Sequence, residues 1–505
     1  MSLSRRDFLR LGALTAAATA AGCTPLGRQL AQDELPETLA IPTRTAASAP
    51  NQPPPIALRL LNRAGYGPRP GQLEQVQQMG WQAYLEEQLD HEAVEDTAVN
   101  LLVQNLSIGR MDSDQLINLG EPDVVRELLW ATLVRQTYSR RQLYEAMVEF
   151  WGDHFHIYLH KSMYMPALKA LDDRDVIRPH ALGNFRDLLF ASAYSPAMLH
   201  YLDNARNTAS APNENYGREL LELHTLGVHA GYTQEDVMET ARILTGLSIT
   251  RREGEGGTGQ KRFNPEQHDN GRKVVLGQVF PAGQGEADIT QLLDFLASHP
   301  ATADFIATKL VRRFVADEPP PALVASVAQT FLQTGGDIKS MLRLIFLSPE
   351  FAQAPPKLKR PLTYVVSALR ATGADVKNGR QAAHWLRWLG QLPFTWPAPN
   401  GYPDVATAWA QTLLTRWNFA LALATGEMNG VTAALEPLIQ ASGAATPTAQ
   451  LDLWATLTLG RPLDAPTQAL FTTYLGAADL PPRETKERTA EALALLLASP
   501  AFQWT

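Results

Sequence analysis

The chain holds one cysteine in 505 residues, Cys23. No intramolecular disulfide can form, so the fold must rest on packing and hydrogen bonding alone. Long apolar runs are also missing. A helix that crosses a bilayer takes roughly 20 apolar residues, whereas the stretch from Leu11 to Gly22 offers about 12, and nothing after it comes closer. Positive charge is scarce: 44 Lys and Arg against 52 Asp and Glu leave a net charge of −8, the wrong balance for gripping nucleic-acid phosphates. There is no Cys-x-x-Cys-His for covalent haem, no glycine-rich phosphate loop and no Gly-x-Ser-x-Gly nucleophile elbow. These absences exclude a disulfide scaffold, a helical membrane span and a nucleic-acid grip. What remains is a chain, 45% hydrophobic and 19% charged, able to bury a large core.

The beginning of the chain carries an address. Ser4-Arg5-Arg6-Asp7-Phe8-Leu9-Arg10 precedes the short Ala/Leu/Thr/Gly run, which predicts a cleavable twin-arginine signal and export in the folded state. Cys23 follows Ala20-Ala21-Gly22, so residues 1–23 end in a lipobox-like site. Lipidation at Cys23 and ordinary cleavage nearby both place the body outside the cytoplasm, in the periplasm or at the cell surface. Any membrane attachment would then come through the lipid. Residues 24–55 include Pro25, Pro36, Pro42, Pro50 and Pro53-Pro54-Pro55 among Ala, Thr, Ser and Gln, a composition that predicts a disordered tether.

From Ile56 onward the apolar residues recur with helical period. Stretches 122–151, 213–227, 233–246, 288–317, 321–334, 338–347, 358–373, 380–390, 405–427 and 448–460 read as helix. The exception is 247–285, where Gly254, Gly256, Gly257 and Gly259 predict a loop and Lys273-Val274-Val275-Leu276-Gly277 a short strand. The expected fold is mainly α, a multi-helix body over 56–428 with a small irregular or β insert and a C-terminal helical extension over 429–505. Ser195-Pro196, His299-Pro300, Ser348-Pro349 and Ser499-Pro500 punctuate the helices as N-cap and first helical residue.

The densest polar stretch runs from Asn213 to Gly227. On a wheel of about 100° per residue, Glu219 falls inside the apolar arc of Tyr216, Leu220, Leu223 and Leu226, with Glu222 at its margin. A carboxylate drawn towards a core needs a cation, a metal or hydrogen-bond donors. Arg218 and Glu222 are spaced to pair along the helix, so a buried ion network and a metal or acid–base site both fit. Thr233 and Asp236 predict a capping box. His156 and His160 share a face if their segment is helical, a weak metal signal because its Ile-Tyr-Leu run suits a strand equally. His268-Asp269-Asn270-Gly271-Arg272-Lys273 reads as a polar turn or as a loop-borne site.

These stretches resemble an exported bacterial family, domain of unknown function 1800. The matching residues are Leu61 to Pro68, Phe150-Trp151 with His154-Phe155, Asn213 to Gly227, Gly231-Tyr232-Thr233, Ala241-Arg242 with Leu244-Thr245-Gly246, His268-Asp269 with Lys273, His299 to Ala303 and Lys359-Arg360-Pro361. Leu247 departs from the pattern, where tryptophan is expected, and His156 and His160 lie outside it. The resemblance implies export and pairing with a co-exported protein of domain of unknown function 1501, which resembles sulfatases and phosphatases. It implies no reaction.

Two functions follow. In the first, an extracytoplasmic hydrolase-type enzyme, the Glu219/Glu222 helix converges with His154 and the His268-Asp269 loop. A divalent metal would be held by His154, Glu219, Glu222, His268 and Asp269, with Glu219 or Glu222 as ligand or base and Arg218 or Lys273 steadying negative charge. In the second, a non-catalytic helical scaffold binds its co-exported partner, and the same residues form a satisfied polar core. Exposed aromatics such as Trp385, Trp388 and Trp396 offer a third use, in binding surface polymer.

Overall fold

Ser139-Arg140-Arg141 breaks what the periodicity reads as one helix over 122–151. The first helix ends at Tyr138 and the next begins at Gln142. The Gln142 side chain donates to the carbonyls of Gln136 (3.1 Å) and Ser139 (2.9 Å), answering acceptors that the helix end leaves without partners. The computed structural model describes residues 24–41, 54–250, 259–476 and 481–505. The expected signal and lipobox over 1–23, including Cys23, lie outside them, as do Gly254, Gly256 and Gly257.

The fold is mainly α, as the periodicity predicts. The helices used below are α1 (Thr24–Asp33), α2 (Ile56–Arg63), α3 (Glu121–Tyr138), α4 (Gln142–His154), α5 (Glu214–Glu219), α6 (Gln234–Ile243), α7 (Pro300–Phe314), α8 (Pro361–Ala371), α9 (Leu413–Thr425) and α10 (Pro482–Ala498). Among the described residues, strands occur only as three antiparallel pairs. Two of these make the insert: β1 (Leu247–Ile249) with β2 (Lys261–Phe263), and β3 (Lys273–Val275) with β4 (Gln278–Phe280). The expected strand at Lys273 is β3, and Leu276 and Gly277, both at positive φ, close its two-residue hairpin.

The described part of the presumed tether differs from its composition. Residues 24–33 form α1, which buries Ala31 and packs on the helix Thr97–Val103. Arg28 grips Asp375 with two hydrogen bonds, 3.0 and 2.9 Å. Burial against a distant segment and a bidentate ion pair supply what local composition lacks. Residues 42–53 lie outside the description.

The apolar interior has two main parts. One runs from Ala57 to Ala354 and centres on Trp151, Phe155 and Phe185. The other joins α8, α9 and α10 with Trp454 and Phe502, so 429–505 shares a core with 362–428. The two parts meet along α4 and the residues before α8. No described helix is long and apolar enough to cross a membrane.

A charged cavity as the candidate functional site

Helix α4 carries Glu145, Glu149 and Asp153 four residues apart, one row on one face. This row points into the protein, so each carboxylate needs a cation. Glu145 takes Arg178 through two hydrogen bonds, 3.0 and 3.1 Å. Glu149 accepts from Arg313 (2.8 Å), the Tyr66 hydroxyl (2.8 Å) and Arg360. Asp153 accepts from Arg360 at 3.0 Å. Arg360 stands at the start of α8, where Pro361 opens the helix. A loop from Trp396 brings Asp404 to the same place, 3.3 Å from Lys357 and 3.7 Å from Arg313. The loop approaches so closely because of Gly401, at φ +69°, where a Cβ would run into the Asp153 carbonyl oxygen.

The charges surround a cavity of about 160 Å³ whose walls include Asp153, His154, Lys309, Arg312, Arg360 and Asp404. Helix α7 delivers Lys309 and Arg313, a turn apart. Lys309 Nζ lies 2.9 Å from His154 Nδ1, and His154 Nε2 lies 3.1 Å from the His224 carbonyl. A carbonyl can only accept, so Nε2 carries the proton and the neutral Nδ1 accepts from the lysine. Lys309 therefore meets an imidazole where a buried cation would ordinarily meet a carboxylate.

The surroundings spread the protonation equilibria apart. Burial pushes the Asp153 carboxyl up to about 6, with Arg360 opposing and Glu149 adding to the rise. Burial drives Lys309 down to about 8, although Asp153 and Asp404 pull the other way. Burial, then Lys309 and His224, hold His154 well below its ordinary range. Asp404 resists burial because Lys357, Arg360 and Arg313 draw it down to about 2. Desolvation disfavours the Arg360 cation, yet Glu149, Asp404 and Asp153 outweigh it and its pKa rises. Arg360 Nε and Asp404 Oδ1, both buried in the cluster, make no hydrogen bond and face each other as an ion pair at 3.9 Å.

The residues predicted from sequence fall into three separate places. His154 belongs to this cavity. Glu219 and Glu222 do not converge on it as metal ligands, because the helix changes pitch: after α5, residues 220–225 form a π-helical turn. With more residues per turn the 100° wheel fails, so Leu221 and His224 are buried and Leu223 is partly exposed. Glu219 and Glu222 stay only half-buried. Burial and the Glu222 charge raise the Glu219 pKa, and Glu222 accepts from the Tyr232 hydroxyl at 3.4 Å. Arg218 pairs with Glu214 (3.1 Å) and Gln234 (2.8 Å), not with Glu222.

His268 and Lys273 converge on a residue that the sequence reading passed over, Asp288. Its Oδ2 lies 3.3 Å from His268 Nε2 and 2.7 Å from Lys273 Nζ, with all three side chains sealed from solvent. His268 Nδ1 faces the Thr245 carbonyl at 2.8 Å. Asp269 is tied to Arg242 by two hydrogen bonds and caps the Gly271 amide, which lowers its pKa. Among the described residues no group of three or more His, Cys, Asp or Glu is arranged to hold a metal. His154, Glu219, Glu222, His268 and Asp269 therefore do not form the expected ligand set. His156 meets the Trp396 carbonyl (2.7 Å), and exposed His160 sits 3.4 Å from Glu121, so they share no face. Thr233 and Asp236 do form the expected capping box.

Sequence reasoning missed Glu149, Asp153, Lys309, Arg313 and Asp404. The signal for two of them was present: acids at i, i+4 and i+8 on a helix whose other positions are Leu143, Ala146, Met147, Phe150 and Trp151. Lys309 and Asp404 left no local trace.

No curated protein and no solved structure matches the chain. A family profile matches residues 59–504, taking in α4, α7, the loop to Asp404 and the insert alike. On that match over most of its length, the chain belongs to the family described as protein of unknown function DUF1800.

Proposed function

We propose that the protein is an exported acid–base enzyme of hydrolase type, with Asp153 and Lys309 as its proton-transferring pair. One observation carries the reading: a carboxyl near 6 and an ammonium near 8 face the same cavity. Between those values Asp153 is an ionised base and Lys309 a protonated acid, the division of labour that general acid–base catalysis needs near neutrality. His154 positions Lys309 without competing for the proton. Arg312, bonded to the Asp317 carbonyl at 3.2 Å, lines the same wall and would steady developing negative charge. The cavity admits one polar group of a larger substrate, such as the end of an ester, phosphate or glycoside. The Arg5-Arg6 segment and the short apolar run after it support work outside the cytoplasm, with either a lipid at Cys23 or ordinary cleavage nearby.

The test is hydrolysis of chromogenic ester, phosphate, sulfate and glycoside substrates by the mature protein across a pH series. Turnover should follow a bell with limbs near 6 and 8. Asp153→Asn and Lys309→Met should each lower it about 10²- to 10⁴-fold with the helical signal retained. Turnover of none of these classes, or a rate indifferent to both substitutions, would remove the reading. The sealed His268–Lys273–Asp288 cluster favours a second reading, a helical scaffold that binds a co-exported partner. Co-purification of that partner with an inactive but folded Lys309→Met protein would support it.

A further inference from the structure

A second cavity, of about 550 Å³, opens on the far side of the segment that supplies Arg360. Its walls include Arg59 of α2, Lys359, Arg461, Leu459, Phe502 and Trp504. The segment Gln503–Thr505 pairs with 357–359: Lys359 N donates to the Gln503 carbonyl (2.8 Å), and Lys357 and Thr505 exchange two hydrogen bonds. Lys359 is 5% exposed. Its ammonium lies 3.6 Å from the centre of the Phe502 ring, and no carboxylate or other acceptor meets it among the described residues.

Three neighbouring arginines donate to backbone carbonyls. Arg59 donates to the Phe351 and Ala352 carbonyls (2.8 and 2.6 Å). Buried Arg416 donates to the Lys359 carbonyl (2.8 Å) and has an unpartnered Nη1. Arg63 takes four backbone oxygens, those of Phe314, Val315, Pro355 and Thr505. Positive charge therefore gathers in a protein whose net charge is −8. A desolvated cation without a counter-charge is costly. Burial, then Arg416, drives the Lys359 pKa well below its ordinary value. Nor does the chain entering at Pro54 bring an acid, since residues 42–53 contain no Asp or Glu.

We propose that this cavity binds an amphiphilic organic anion, its acidic head on Lys359 and its apolar part along Phe502 and Trp504. The volume lies within the roughly 300–1,000 Å³ of small-molecule sites. The walls give the usual division of labour, with aromatic and aliphatic surface for area and one charged group for orientation. This site is separate from the Asp153–Lys309 cavity and stands whether or not that one is catalytic.

The probe is 8-anilinonaphthalene-1-sulfonate, an aromatic sulfonate whose fluorescence rises on burial, titrated into the full mature protein. Saturable binding of one equivalent is expected, at least tenfold weaker in Lys359→Met and recovered in Lys359→Arg. Ala501→Trp, at an exposed position on the cavity rim, should block the site without touching the buried lysine and covers the case in which Lys359→Met fails to fold. No saturable binding, or binding unchanged in folded Lys359→Met and in Ala501→Trp, overturns the proposal.

Discussion

Two buried charge clusters in this protein look alike in composition and differ in kind. Around Asp288 a carboxylate, a lysine and an imidazole are sealed from solvent, and the lysine's cation has its carboxylate at 2.7 Å. Around Asp153 the same three residue types meet differently. Lys309 faces an imidazole, Asp153 is held by an arginine that also serves Glu149 and Asp404, and a cavity adjoins them. The first arrangement locks the insert against the helical body. The second leaves a lysine on a neutral imidazole and a carboxylate on a shared arginine beside open space. Burial of charge is thus a poor guide to chemistry by itself; the pairing of the cation and the presence of room separate lock from site.

The comparison can be broken most sharply at Asp288. Asp288→Ala strands Lys273 in the interior, and urea unfolding should show a loss of about 3–5 kcal/mol. Lys309→Met should behave in the opposite way: removing a cation whose pKa is depressed to about 8 leaves the unfolding free energy unchanged or raised. A loss as large as that of Asp288→Ala would erase the distinction between the two clusters. Next in size is Gly401→Ala, which forces a positive φ on alanine and a Cβ onto the Asp153 carbonyl. It should cost about 1–3 kcal/mol, and the loop bearing Asp404 should become accessible to protease.

Acid sharpens the comparison further. His224 is drawn down to about 3 and His156 to about 4, in both cases chiefly by burial, from an ordinary 6.5. The unfolded chain binds these protons first, so the stability they confer is complete above about 6.5 and is lost as pH falls towards 3. Asp153 works with the opposite sign: raised from 3.8 to about 6, it favours the fold at low pH and loses that contribution as pH rises through 6. Thermal melts across this range should show a shallower acid limb in His224→Gln and a steeper one in Asp153→Asn. The smallest effect belongs to Arg218→Gln. Its pair with Glu214 is 40% and 37% exposed, so a change of about 0.5 kcal/mol or less is expected, far below that of any buried pair. A larger loss would return Arg218 to the list of functional residues.

Much of the architecture was legible. Helical period, the Thr233–Asp236 capping box and the strand at Lys273 all follow from local spacing, and local spacing is what a sequence displays. Of the punctuating residues, His299 and Ser348 accept hydrogen bonds from the first turn of the following helix, whereas the Ser195 hydroxyl turns to Asp172 at 2.7 Å. The site was legible only in its first member, His154. Glu219 and Glu222 misled because a wheel assumes constant pitch and the π turn at 220–225 breaks it. His268 and Lys273 were rightly suspected of sharing a task, but the partner that decides it, Asp288, lies on a later helix. Helix α1 shows the converse: a proline-bearing, polar segment is helical where it packs on Thr97–Val103 and where Arg28 meets Asp375, far along the chain.

By itself the sequence determined that this is a large, mainly helical protein whose single cysteine allows no intramolecular disulfide, and it carried, unread, a row of acids at four-residue spacing among apolar residues. Those properties depend on composition and on neighbours within a few positions. Only the tertiary structure decided which acids meet which cations. Electrostatic pairing and desolvation act across space, and Asp153, Lys309, Arg360 and Asp404 come from four segments spread over 250 residues or so of chain. Whether a buried charge is locked or left available to react is settled by that convergence.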